Sequence, residues 1–257
     1  MKTIILSAGK GERLLPLTKD RPKILIELGD GSTLLSRQID ILLRYQEFTD
    51  IIIAAGHCAD KIDEFVENSK NKKKLSVVYN PFYDTTGPLV TLWIVLNRIN
   101  DTEFMFMNGD TLFNESVYLK IKDTTASRDE AIFLLCSESD KVISDDIKVQ
   151  VSKDNKILEA GKNITNYDAV SAGLMIIKGK NSSSLFRNTL DRVSRRADFL
   201  SYMKTWHSFI SDLSREKADI EPLLIRKTEW SEIDIHFELD ELRYLLQKKI
   251  SFQEESS

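Results

Sequence analysis

The chain has 257 residues, 42% of them hydrophobic and 30% charged, with a formal net charge of −4. That balance supports one sizeable core and suggests neither a disordered nor a repeat class. An acidic chain lacks the basic face of a broad nucleic-acid surface, and no apolar run approaches membrane-spanning length, so the expectation is a cytoplasmic protein without nucleic-acid or membrane partners.

The first element is a buried strand at Thr3–Leu6 that runs straight into the glycine-rich turn Ser7-Ala8-Gly9-Lys10-Gly11-Glu12-Arg13. Leu35, Ile39, Leu42 and Leu43 recur at helical spacing, Ile51–Ala55 reads as a second buried strand, and Ile62, Phe65 and Val66 mark a second helix. Val77–Tyr79 and Phe104–Met107 continue the alternation. Strands that are apolar throughout, separated by helices, imply an α/β fold with a Rossmann-like, mostly parallel central sheet flanked by helices. Ligands of such sheets sit at the carboxyl ends of the strands.

After about residue 130 the rhythm shortens to strands at Ile132–Leu135, Ile147–Val151, Lys156–Leu158 and Leu174–Ile177. Helical patterns follow at 181–195, 199–214 and 237–248, and a polar tail at 251–257 reads as disordered. Cys58 and Cys136 lack Cys-x-x-Cys spacing and read as free thiols; His57, His207 and His236 are too scattered for a zinc site.

Two glycines one residue apart let a backbone approach a polyphosphate closely, and Lys10, Arg13 and Lys23 supply positive charge beside them. A Walker A loop is excluded because no Ser or Thr follows Gly9-Lys10, and a dinucleotide fingerprint because Leu14 stands at its third glycine. The second chemical element is the strand Phe104–Met107 followed by Asn108-Gly109-Asp110. It places one carboxylate at a strand's carboxyl end, where Mg²⁺ with its preference for oxygen ligands could be held.

The run from strand through Ala8-Gly9-Lys10-Gly11-Glu12-Arg13-Leu14, Pro16-Leu17-Thr18 and Pro22-Lys23 resembles the signature of nucleotidylyltransferases that join an NTP to a sugar 1-phosphate or alcohol phosphate. Asn80-Pro81-Phe82-Tyr83 with Leu89–Trp93, and Asp145-Asp146-Ile147-Lys148-Val149, resemble the base-binding and acceptor segments of the branch acting on phosphocholine and phosphonates. The chain departs from that branch at Thr86-Gly87-Pro88 and at Val170–Gly173, and acceptor identity stays open.

The resemblance implies a nucleotide-diphospho-sugar-transferase type of fold, with a small acceptor-side β/α part, in one domain. Residues 1–130 would bind NTP and 131–250 the acceptor. It implies Mg²⁺-dependent transfer of a nucleotidyl group, CMP from CTP, to a small phosphate or phosphonate, with pyrophosphate released. Leu6, Ser7, Ala8, Gly9, Lys10, Gly11, Glu12, Asn80, Thr86, Gly87, Asn108 and Gly109 would contact nucleotide. Arg13 would steady the pyrophosphate, Lys23 the α-phosphate and Lys148 the acceptor phosphate. Asp110 and, from Trp230-Ser231-Glu232-Ile233-Asp234, Asp234 would hold the metal, with Glu232 in support. Asp234 could equally cap the closing helix. Tyr83, Trp93, Trp206 and Trp230 could cage a choline ammonium, although aromatics at this density are more often core. A sugar-1-phosphate uridylyl-, thymidylyl- or guanylyltransferase and a non-catalytic nucleotide sensor are the alternatives, and a homodimer is left open.

Overall fold

The computed structural model describes residues 1–138, 142–196 and 205–248. Packing divides these residues into two units, one of 1–84, 107–122 and 228–248 and one of 85–106, 123–138, 142–196 and 205–227. Both belong to an α/β fold in which a mostly parallel sheet is flanked by helices.

In the first unit, β1 (Lys2–Ser7), β2 (Asp50–Ala55) and β3 (Leu75–Tyr79) pair in parallel, with Ile4 opposite Ile52 and Ile53 opposite Val77. The strand order there is β1-β2-β3, and Met107 and Asn108, the carboxyl end of β4 (Phe104–Asn108), belong to the same unit. Ile4, Ile5, Ile51 and Ile53 are fully buried, as expected for strands covered on both faces. Helix α1 (Leu34–Leu42) starts at a reciprocal cap, in which the Thr33 side chain accepts from the Ser36 N–H and the Thr33 N–H donates to Ser36 Oγ. It buries Leu34, Leu35, Gln38, Ile39 and Leu42 along one stripe. Helix α2 (Ala59–Asn68) buries Ile62 and Val66.

A short strand β5 (Thr111–Phe113) pairs antiparallel with β11 (Trp230–Glu232), Glu232 opposite Thr111 and Trp230 opposite Phe113. Helix α7 (His236–Lys248) follows at once. This two-strand ribbon returns the C-terminal segment to the end of β4.

In the second unit, β6 (Ala131–Ser137) lies antiparallel to β9 (Ala169–Lys178) and parallel to β10 (Ile220–Ile225), and β7 (Lys148–Val151) pairs with β8 (Ile157–Gly161) and β9. Helices α3 (Pro88–Leu96), α5 (Lys180–Ser194) and α6 (Ile210–Arg215) complete it, while α4 (Glu115–Ala126) runs between the units in sequence. Its core is aromatic: Phe106 meets Trp206 edge-on at 4.8 Å, and Phe186 meets Phe209 at 5.2 Å.

Every expected strand is present with shifted ends. The helix expected at 199–214 is a 3-10 turn at Trp206–Phe209 followed by α6, and its residues 199–204, like the tail at 251–257, lie outside the described residues. Elements α4, β5, β10 and β11 were not expected. Pro222 breaks the strand pattern of β10, and a strand ending the sheet order tolerates its missing N–H. No helix among the described residues is long and apolar enough to cross a membrane.

Candidate active site

The turn after β1 is built from its own backbone. The Leu14 N–H bonds the Gly11 carbonyl at 2.9 Å and the Leu17 N–H the Leu14 carbonyl at 2.9 Å, while buried Leu14 anchors the turn to the core. Gly11 sits at φ +64°, where a Cβ would also meet Thr18 Cγ2 at 3.0 Å, so both strain and space demand glycine there. At Gly9 a Cβ would meet nothing within 4 Å. Its missing side chain opens the loop to a ligand.

The loop borders a cavity of about 480 Å³, within the range of small-molecule sites. Leu6, Ser7, Gly9, Lys10, Gly11, Glu12, Arg13, Lys23, Gly109, Asp110 and Asp234 line it, joined by Ile24, Tyr83 and Asp84. It therefore opens at the carboxyl ends of β1 and β4. Lys10 pairs with Asp84, a hydrogen bond that raises the pKa of the ammonium.

The carboxylates come together through the β5–β11 ribbon. The Ile233 N–H donates to the Asp110 carbonyl at 3.0 Å, and the Gly109 N–H to the Leu6 carbonyl at 2.8 Å. On the other side of the turn, buried Gln38 donates its amide to the carbonyls of Gly109 and Thr111 at 3.0 and 2.8 Å. Asp110 is thus held from both flanks and across the ribbon. Oxygens of Asp110, Glu232 and Asp234 all lie within 4.8 Å of one another.

Two cations meet this cluster. Lys23 Nζ donates to Asp110 Oδ2 at 2.8 Å and to Asp234 Oδ1 at 2.6 Å, and Arg13 donates to Asp234 Oδ2 at 2.6 Å. Burial opposes the charge on Lys23, but Asp110 and Asp234 outweigh it and raise the pKa. Burial pushes the Glu232 carboxyl up to about 8, reinforced by the neighbouring Asp110 and Asp234 charges. Asp110 Oδ1 is buried without a hydrogen-bond partner among the described residues, and it belongs to an all-oxygen donor set. That set suits a hard divalent cation such as Mg²⁺.

Asp234 does not cap α7, since both of its carboxylate oxygens face cations and Glu238 accepts the Asp234 and Ile235 N–H groups. Ala8 is buried and does not line the cavity, its carbonyl taking the His57 N–H at 3.0 Å. Asn80 is fully buried, and its Oδ1 holds the Phe82 N–H in a turn, while Asn108 ends β4 half-buried. Thr86, Gly87 and Lys148 belong to the second unit. There Gly87 precedes α3 and accepts from Thr91, and Lys148 Nζ donates to the Lys162 carbonyl at 2.8 Å and lies 5.9 Å from the Tyr167 ring centre. Trp206 and Trp230 are buried, as core aromatics are, whereas Tyr83 lines the cavity. Ile24, Asp84 and Gln38 escaped the sequence reading. Only Gln38 left a signal there, as the polar residue on the apolar stripe of α1.

Known proteins resemble this chain over this architecture. It is 30% identical over 135 residues to the UTP-glucose-1-phosphate uridylyltransferase AglF of Haloferax volcanii, covering 52% of this chain and 54% of that protein, so it spans about half of that relative. It is 27% identical over 175 residues to the choline-phosphate cytidylyltransferase of Streptococcus pneumoniae, 67% of this chain and 72% of that one. The solved inositol-1-phosphate CTP transferase from T. maritima superposes with a TM-score of 0.76 at 20% identity, over 100% of this chain and 97% of that one. At that identity the likeness concerns the fold alone. The pattern of MobA-like NTP transferase domains matches residues 3–250, and the chain belongs to that family.

Proposed function

We propose that this chain transfers CMP from CTP to a small phosphate or phosphonate acceptor and releases pyrophosphate. The observation that carries this reading is the convergence of Lys23, Asp110 and Asp234 on one side of a glycine-walled cavity. An acceptor oxygen forms a bond to the α-phosphorus in line with the bond to the bridging oxygen, which breaks, and pyrophosphate leaves with the electron pair. Backbone N–H groups of the Gly9–Gly11 turn and the charges of Lys10 and Arg13 hold the β- and γ-phosphates. Lys23 draws the α-phosphate and the incoming anion together and offsets the charge that builds on the equatorial oxygens. Asp110 and Asp234 would hold Mg²⁺, which when bound neutralises phosphate charge and orients the triphosphate oxygens. Lys148 serves the acceptor phosphate.

The choice of CTP rests on the resemblance of the Asn80–Trp93 segment and on the cytidylyltransferase relative. A second reading, transfer of UMP to a sugar 1-phosphate, is favoured by the uridylyltransferase relative. Pyrophosphate release should be measured with CTP, UTP, dTTP and GTP against phosphocholine, a phosphonate, inositol 1-phosphate and glucose 1-phosphate. CTP with an alcohol phosphate or phosphonate is expected to be fastest. Faster turnover of UTP with glucose 1-phosphate supports the second reading, and no release in any combination supports a binding module.

A further inference from the structure

Both ends of the turn after β1 are fastened by one residue, His57, which lies in the connection between β2 and α2. Its backbone N–H donates to the Ala8 carbonyl at 3.0 Å, where the chain enters the turn. Its ring Nε2 lies 2.8 Å from the Thr18 carbonyl, where the chain leaves it. Nε2 also lies 3.3 Å from Cys58 Sγ, and with a carbonyl as its nearer partner the proton is assigned to Nε2, which donates to Thr18. Thr18 passes the restraint inward, because its hydroxyl donates to the Gly11 carbonyl at 2.8 Å, at the residue with positive φ. On its other side the His57 ring packs against Tyr83, centroids 6.2 Å apart, and Tyr83 lines the cavity. The approach is close throughout: a Cβ on the preceding Gly56 would fall 2.5 Å from the Ala8 carbonyl oxygen and 2.5 Å from Tyr83 Cβ.

We propose that His57 is a positioning residue for triphosphate binding, a clasp that closes the Ala8–Thr18 loop and holds its N–H groups in a converging arrangement. The purpose assigned to the clasp rests on the nucleotide reading of the cavity. His57 does not line the cavity, so it acts through the loop and not by touching phosphate. A loop shaped before binding loses less freedom when its ligand arrives. The residue therefore governs affinity for the triphosphate more than the rate of the chemical step.

The test compares H57F, which keeps a ring against Tyr83 but lacks the donor, with H57Q, whose amide can donate to the Thr18 carbonyl. The probe is inorganic tripolyphosphate with Mg²⁺, titrated calorimetrically. Limited trypsin digestion reads the loop independently, because Arg13 and Lys19 are exposed cleavage sites within or just after it. In H57F, tripolyphosphate affinity should fall about tenfold and cleavage after Arg13 and Lys19 should quicken. The KM for CTP should rise while kcat at saturation stays within a factor of about three. H57Q should restore both binding and protection. If H57F does not fold, H57A supplies the same comparison. Affinity within twofold of wild type in H57F, unchanged cleavage, or an H57Q as impaired as H57F would each overturn the clasp. A wild-type protein that binds no tripolyphosphate, while H57F is still cleaved faster, keeps the clasp and overturns the nucleotide reading beneath it.

Discussion

At the scale of single residues, the candidate site is a set of carboxylates crowded around Lys23 and Arg13. Asp110→Asn or Asp234→Asn preserves shape but removes one anion, and turnover is expected to fall by about a hundredfold, roughly 3 kcal/mol of transition-state stabilisation. The double variant should lose far less than the product of the two, since both act on one site. Pyrophosphate release by the three variants checks this, and near-normal turnover in either single variant contradicts it. Gln38 has a structural counterpart. Gln38→Leu leaves the Gly109 and Thr111 carbonyls without their buried donor and should cost about 2 kcal/mol of stability in urea unfolding. Asp110 and Asp234 were legible in the sequence because each stands in a recognisable motif. The raised pKa of Glu232 was not, because it arises from burial beside two other acids that only the folded chain brings close.

At the scale of elements, the ribbon of β5 with β11 does the joining. Strands of three residues leave no periodic trace, so the pairing that sets Glu232 opposite Thr111 could not be read from the pattern. The long buried strands could, because Ile4–Leu6 and Ile51–Ala55 are apolar without interruption. Strand β10 was hidden by Pro222. The glycine turn was legible, and its geometry yields a stability prediction. Gly11→Ala forces a left-handed backbone on a residue with a Cβ and presses it against Thr18. It should destabilise by about 1–2 kcal/mol, read as a lower urea midpoint. An unchanged midpoint would mean that the turn relaxes out of the positive-φ conformation.

At the scale of the whole molecule, buried His207 contributes to the acid response of the fold. This ring is held between the hydroxyls of Ser171 and Thr205, each at 2.8 Å. Burial, aided by the nearby charge of Lys162, lowers its pKa from 6.5 to about 3. The unfolded chain takes up the proton at higher pH than the folded one, so stability is full above pH 6.5 and falls as pH drops from 6.5 toward 3. The loss from this residue should reach about 2 kcal/mol at pH 5. H207Q, though weaker at neutral pH, should lose correspondingly less on acidification, and equal losses in both proteins would contradict the assignment. The division into units was not legible, because residues 228–248 rejoin the first unit through contacts remote in sequence. The chemistry proposed for this cavity is nucleotidyl transfer at the α-phosphorus. The most direct measurement follows the label of [α-³²P]CTP in the presence of Mg²⁺ and the acceptor panel. Label is expected in a nucleotidylated acceptor, with unlabelled pyrophosphate released in equal amount. Label that stays in CTP with every acceptor, or that appears in CDP, would contradict it.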